Sequence, residues 1–178
     1  MATLVDDLLL LARLDSGRPL ADDPLDLSRL VVDSVADAHA AGPGHRWRLS
    51  LPEDPIEVRG DEVRLHQVLG NLLANARVHT PPGTVVTVGL SRERQDALVT
   101  VADDGPGIPD RSLPSVFERF ARGDDSRSRT AGGTGLGLAI VRHVASNHRG
   151  EVRVESREGE GSCFTLRLPA RPRASETG

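Results

Sequence analysis

The sequence predicts an α+β fold with helices covering one face of a mixed sheet. Two observations carry this. Apolar residues recur at three- and four-residue spacing in some stretches and alternate with polar ones in others, so helices and strands are both present. After one leading helix, the order is helix, two strands, helix, two strands, a loop region with a short helix, helix, two strands. A doubly wound dinucleotide fold needs strict β-α-β alternation and a glycine fingerprint directly after a strand. Here "GGTGLG" follows a polar loop, which excludes it.

The elements follow in order. Leu4, Leu8, Leu11 and Leu14 give "MATLVDDLLLLARLDSG" helical spacing, closed by Gly17 with Pro19 beyond. It begins abruptly on an apolar stripe, as a helix cut from a longer bundle does. "GRPLADDPLDL" reads as a linker rich in turn formers. Asp26 or Ser28 can cap a helix to about Ala41, with Leu30, Val31, Val35 and Ala38 inward. "RWRLSLP" and "IEVRG" alternate like strands around "PEDP". Asp61 caps a long helix that stops at Pro81–Pro82–Gly83. "TVVTVGLSRE" and "ALVTVADD" form the next pair, with a turn expected at Gln95–Asp96. "GPGIPD" leads into a short helix, "SLPSVFERF". A polar stretch from Arg122 to Gly133 precedes the glycine-headed helix, and "EVRVES" with "SCFTLRLP" forms a final hairpin. The tail from residue 170 to 178 is expected to be disordered.

Composition bounds the function. A chain of 178 residues, 38% hydrophobic, can bury one sizeable core plus a short appendage. With three Phe, one Trp and no Tyr, that core must be Leu, Val and Ala. A formal charge of −4 argues against a nucleic-acid partner. The single Cys163, in a strand-like run, excludes an internal disulfide and reads as a structural thiol. Lysine is absent, which removes the lysine-bearing phosphate loop. No signal peptide is visible, and "LVDDLLLLARL" is broken by charges and too short to span a bilayer, so a soluble, cytoplasmic piece is expected.

Three stretches can carry chemistry. Gln67, Asn71, Asn75 and His79 recur every four residues and share one helix face, opposite Leu65, Leu69, Leu72, Leu73 and Ala76. Taken alone this is a solvated stripe. Alternatively, the neutral amide oxygens of Asn71 and Asn75 can help hold Mg²⁺ whose charge a triphosphate balances. In "VADDGPGIP", Asp103 at a strand end can accept a hydrogen bond from an exocyclic amine, and Gly105 and Gly107 let backbone approach a flat base. An ordinary turn is the plain reading. In "FERFARGDDSRSRTAGGTGLGL", Phe117 and Phe120 are expected to anchor the stretch to the core. Arg119 and Arg122 are surface charge or phosphate contacts. Gly132, Gly133, Gly135 and Gly137 expose backbone N–H groups at a helix start, where anions are stabilised.

Together, "LHQVLGNLLANARVHTPPG", "DDGPGIP", "VFERFARGDD" and "GGTGLGLAIVRHV" resemble the N, G1, F and G2 boxes of sensor histidine kinases of bacterial two-component systems, within the GHKL superfamily. The resemblance covers roughly residues 25 to 169. It implies a two-layer α/β sandwich of the GHKL (Bergerat) type binding ATP and Mg²⁺ beneath a lid. By resemblance, Asn75 is the Mg²⁺-binding asparagine and Asn71 its companion, His79 lines the nucleotide, and Asp103 reads adenine. Gly105 and Gly107 are the G1 glycines, and Gly133, Thr134, Gly135, Leu136 and Gly137 form the G2 loop. Arg122 is the lid-side arginine near the γ-phosphate, and it and Asn75 are the catalytic pair. Val78 departs from the Lys or Arg common in the family, and Arg77 need not point the same way.

The resemblance also implies the domain plan: 1–17 as the end of a dimerising hairpin helix, 18–24 a linker, 25–169 the ATP-binding catalytic domain. No H-E-x-R-x-P acceptor box surrounds His39, His45, His66, His79, His143 or His148, so the acceptor histidine is expected on an absent part of the hairpin. The implied partners are that hairpin and a response regulator, in a homodimeric parent anchored in the membrane. Related ATPases place a water-orienting glutamate where Asn71 stands, which disfavours an ATPase. A non-catalytic ATP sensor is the alternative.

Overall fold

Described residues are 2–121 and 133–172 of a computed structural model. Five strands form the main sheet, in the order β2-β4-β5-β7-β6. These are β2 (Arg46–Ser50), β4 (Val85–Glu93), β5 (Asp96–Asp103), β6 (Glu151–Arg157) and β7 (Gly161–Pro169). β2 runs parallel to β4 and every other pair is antiparallel, so the sheet is mixed as expected. A two-stranded sheet joins β1 (Asp23–Asp26) to β3 (Glu57–Gly60).

Helices α2 (Leu27–Ala41), α3 (Glu62–Val78) and α4 (Gly137–Asn147) bury one stripe each against the sheet. The strands answer with alternate residues: Val86, Val88 and Leu90 of β4, Val99 and Val101 of β5, Phe164, Leu166 and Leu168 of β7. Caps fix two helix starts. Asp26 accepts from the Arg29 N–H and Asp61 from the Arg64 N–H, both at 3.1 Å. His148 ties the far end of α4 to the start of α3, its Nε2 accepting from the Asp61 N–H at 3.0 Å.

Several local expectations change. The stretch read as linker contributes β1, because pairing with β3 satisfies its backbone even around Pro24. β2 and β3 do not form a hairpin; each joins a different sheet. The β4–β5 turn is Arg94–Gln95, one residue early, with Arg94 left-handed at φ 56°. Pairing also continues past residue 169: Ala170 bridges Val58, and the Arg171 N–H donates to Glu57 O. The tail expected to be disordered lies outside the described residues from 173 onward.

Helix α1 (Ala2–Asp15) packs beside α4. Its inward residues are Leu10, Leu11 and Leu14, while Leu4 and Leu8 of the expected stripe face outward with Val5 and Leu9. Asp7 meets Thr134 just before α4 and Asp15 meets His143 within it, so the two helices run parallel. Among the described residues no helix is long and apolar enough to cross a membrane.

Candidate nucleotide site

The site is assembled where three elements end. The period of α3 leaves Gln67, Asn71 and Asn75 half-buried while Leu65, Leu69, Leu72, Leu73 and Ala76 enter the core. His79 caps the helix, its N–H donating to Asn75 O at 3.1 Å. Asn71 Nδ2 donates to Gly137 O at 3.2 Å, so the polar stripe of α3 touches the first residue of α4. Asn75 makes no side-chain hydrogen bond among the described residues.

Asp103 closes β5 on the helix-facing side, in register with Ser162 of β7. Its carboxylate accepts from the Gly105 N–H at 3.0 Å and from the Ser162 backbone N–H. Burial nevertheless raises its pKa, outweighing those two N–H groups; Asp104 adds to the rise and His79 opposes it. For His79, crowding by protein pushes the pKa down and the Asp103 charge pushes it back up. Thr80, one residue past His79, stands where a Cβ at Gly105 would, so the end of α3 and the turn after β5 border one space.

Backbone geometry explains part of the glycine content without a ligand. Gly107 is left-handed at φ 73°, and a Cβ there would strike the Arg157 carbonyl in the β6–β7 turn. A Cβ at Gly105 would lie 2.6 Å from Thr80 Cγ2. Gly135, at φ 72°, presses on Phe120 and accepts its N–H at 2.8 Å. A side chain at Gly133 would meet open space, and one at Gly137 only the Asn71 side chain at 3.7 Å. Nothing inside the described protein demands bare backbone at those two positions. The N-cap residue of α4, Leu136, makes no side-chain cap, leaving the first amides of the helix available.

Sequence reasoning missed three contributors. Ser162 supplies an N–H to Asp103 and pairs with Ser156 Oγ at 3.0 Å. Gly161 lets β7 lie against the Asp103 carbonyl. Thr80 donates to Ala76 O at 2.6 Å and, its hydroxyl hydrogen thus used, accepts from His45 Nε2 at 2.9 Å. The signal for the first two was the "GEGS" turn leading into β7; its long-range pairing with β5 was not legible.

Other expectations divide. Phe117 meets Phe164 edge-on at 6.1 Å and anchors as expected. Phe120 does not: it is 55% exposed with φ 61°, because its backbone is used to hold Gly135. Arg119 turns to Asp15 of α1 at 2.5 Å rather than standing free for a phosphate. The stem of Arg77 lies where a Cβ at Gly42 would, so it fills a gap beside α2. Cys163 is half-buried with its pKa raised by burial, as suits a structural thiol. Arg122 and Gly132 lie outside the described residues. No cluster of three or more His, Cys, Asp or Glu suited to a metal occurs among the described residues.

Comparisons with known proteins identify the family. Residues 60–172 match the family described as histidine kinase-, DNA gyrase B- and HSP90-like ATPase. Over 166 residues the chain is 60% identical to the probable sensor histidine kinase TcrY of Mycobacterium tuberculosis, covering 93% of this chain and 35% of that protein. The chain thus spans about a third of the length of that curated relative. Among solved structures, the mycobacterial sensor histidine kinase MprB superposes with a TM-score of 0.74 at 31% identity, covering 85% of this chain and 99% of that one. Full-length ShkA in complex with AMPPNP gives 0.78 at 30% identity, covering 97% of this chain and 36% of that one. Motifs, site geometry and similarity converge: the chain belongs to the histidine kinase-, DNA gyrase B- and HSP90-like ATPase family, in its histidine kinase branch.

Proposed function

We propose that residues 25–169 bind Mg²⁺–ATP and transfer its γ-phosphoryl group to a histidine on the hairpin domain, for relay to a response regulator. The observation that carries this is the convergence just described: Thr80, at the end of α3, meets the turn that follows Asp103, while Asn71 joins the same helix to the uncapped start of α4. In this reading Asp103 accepts from the adenine amine, with Gly105 and Gly107 shaping the turn beneath the base and His79 lining it. The backbone from Gly133 through Thr134 and Gly135 to Gly137 faces the phosphates, with the Leu136 N–H already donated to Thr134 Oγ1.

The donor set suits Mg²⁺ when a triphosphate supplies the negative charge. Asn75 Oδ1 is uncommitted, and Asn71 spends its amide nitrogen on Gly137 O, leaving its own Oδ1 available. The metal, when bound, would offset charge on the phosphate oxygens. Arg122 would add a guanidinium at the γ-phosphate. The bond to the β,γ-bridging oxygen breaks, a phosphorus–nitrogen bond forms to the acceptor imidazole, and ADP leaves. Asn71 cannot remove a proton from water, so hydrolysis without an acceptor stays slow. Residues 1–17 belong to the hairpin helix in this reading, and the parent is a membrane-anchored homodimer.

Mixing the chain with an isolated hairpin carrying an acceptor histidine and γ-labelled ATP tests the proposal. Label appearing on the hairpin supports transfer. Tight ATP binding with no transfer favours a non-catalytic ATP sensor, a reading to which the uncharged Val78 lends support.

A further inference from the structure

We propose that α1, docked as it is here, antagonises phosphate binding at the start of α4 by holding the Asp7 carboxylate there. Asp7, Leu11 and Asp15 fall at four-residue spacing on one face of α1. Leu11 enters the core with Leu10 and Leu14. Asp7, half-buried where its neighbour Asp6 is exposed, accepts from Thr134 Oγ1 at 3.0 Å. That hydroxyl accepts in turn from the Leu136 N–H at 3.3 Å. Eight residues along, roughly 12 Å at helical rise, Asp15 holds Arg119 at 2.5 Å and His143 at 2.8 Å. The helix is thereby pinned at both ends, one pin on each side of its apolar contacts.

The consequence is electrostatic. α4 begins immediately after Leu136 without a side-chain cap, so the positive end of its dipole faces outward. One hydroxyl away sits a carboxylate delivered by a different helix. A triphosphate at the same amides brings more negative charge to the same end, and the two anions repel. Thr134 is also asked to serve both, since its single hydroxyl hydrogen is given to Asp7. By linkage, whatever factor α1 docking subtracts from ATP affinity, ATP subtracts from α1 docking. This rests on the phosphate half of the proposed function.

Calorimetric titration of the full chain with ATP and with adenosine tests it. Asp7→Asn should bind ATP about fivefold more tightly, with adenosine unchanged, while Asp6→Asn has a much smaller effect. Asp15→Asn should raise ATP affinity as well, because it frees one pin. In the unmodified chain, ATP but not adenosine should accelerate hydrogen exchange of α1 amides. Wild-type or weaker ATP binding by folded Asp7→Asn overturns the inference, as does ATP slowing α1 exchange. Should Asp7→Asn fail to fold, the Asp15→Asn titration and the exchange experiment decide. ATP binding that is abolished by Asp103→Asn yet indifferent to Asp7 sinks this inference alone; no ATP binding by the unmodified chain sinks the proposed function as well.

Discussion

Asp103 is held in a position that costs the folded state something. Its folded pKa is raised, so the native protein binds that proton more tightly than the unfolded chain. The associated stability is present below the ordinary carboxylate value of 3.8 and lost as pH rises through the folded pKa. Asp103→Asn should therefore melt no lower than wild type at pH 7, an advantage that vanishes in acid. Nucleotide titration should show the opposite sign, with ATP binding weakened by about 2 kcal/mol for loss of a charged hydrogen bond. His79 works the other way: its folded pKa is lowered, so stability is retained above the ordinary imidazole value of 6.5 and declines as pH falls toward the folded pKa. His79→Gln should flatten the melting-temperature profile between pH 7 and 5. Neither shift was legible in the sequence, although both residues were. A motif names the carboxylate, but its burial depends on Ser162 and Gly161, about sixty residues further on.

Elements with strong local signals were readable; those defined by distant partners were not. α2 and α3 carry their own caps in Asp26 and Asp61 and their own apolar period, so their bounds follow from neighbours in sequence. β1 has only four residues and one of them is Pro24, so it exists because β3 pairs with it. β2 could not be assigned to a sheet from its alternation, since its parallel partner β4 lies across α3. The join between α3 and α4 is likewise a tertiary fact. Asn71→Ala should cost about 1 kcal/mol in chemical denaturation, by removing the side-chain hydrogen bond that joins α3 to the start of α4. Asp61→Ala should cost a similar amount, about 1 kcal/mol, through the lost cap of α3.

At the scale of the whole molecule, α1 shares the core cluster of the catalytic domain, with Leu11 1% exposed. Leu11→Ala should cost about 3 kcal/mol of α1 docking. Hydrogen exchange should then quicken across α1 while β5 and β7 keep their protection, because the sheet has its own contacts. The leading helix was legible as a helix, but its docking geometry was not: a stripe of leucines does not say whether its partner is another chain or α4. The place of β7 has one more consequence. It is the last strand of the sheet to be translated, yet it lies between β5 and β6 and delivers the amide that meets Asp103. On the ribosome, a chain still missing those residues has an open β5 edge and an unfinished carboxylate pocket. During synthesis the surroundings of Asp103 therefore take their final form only after β7 has been added.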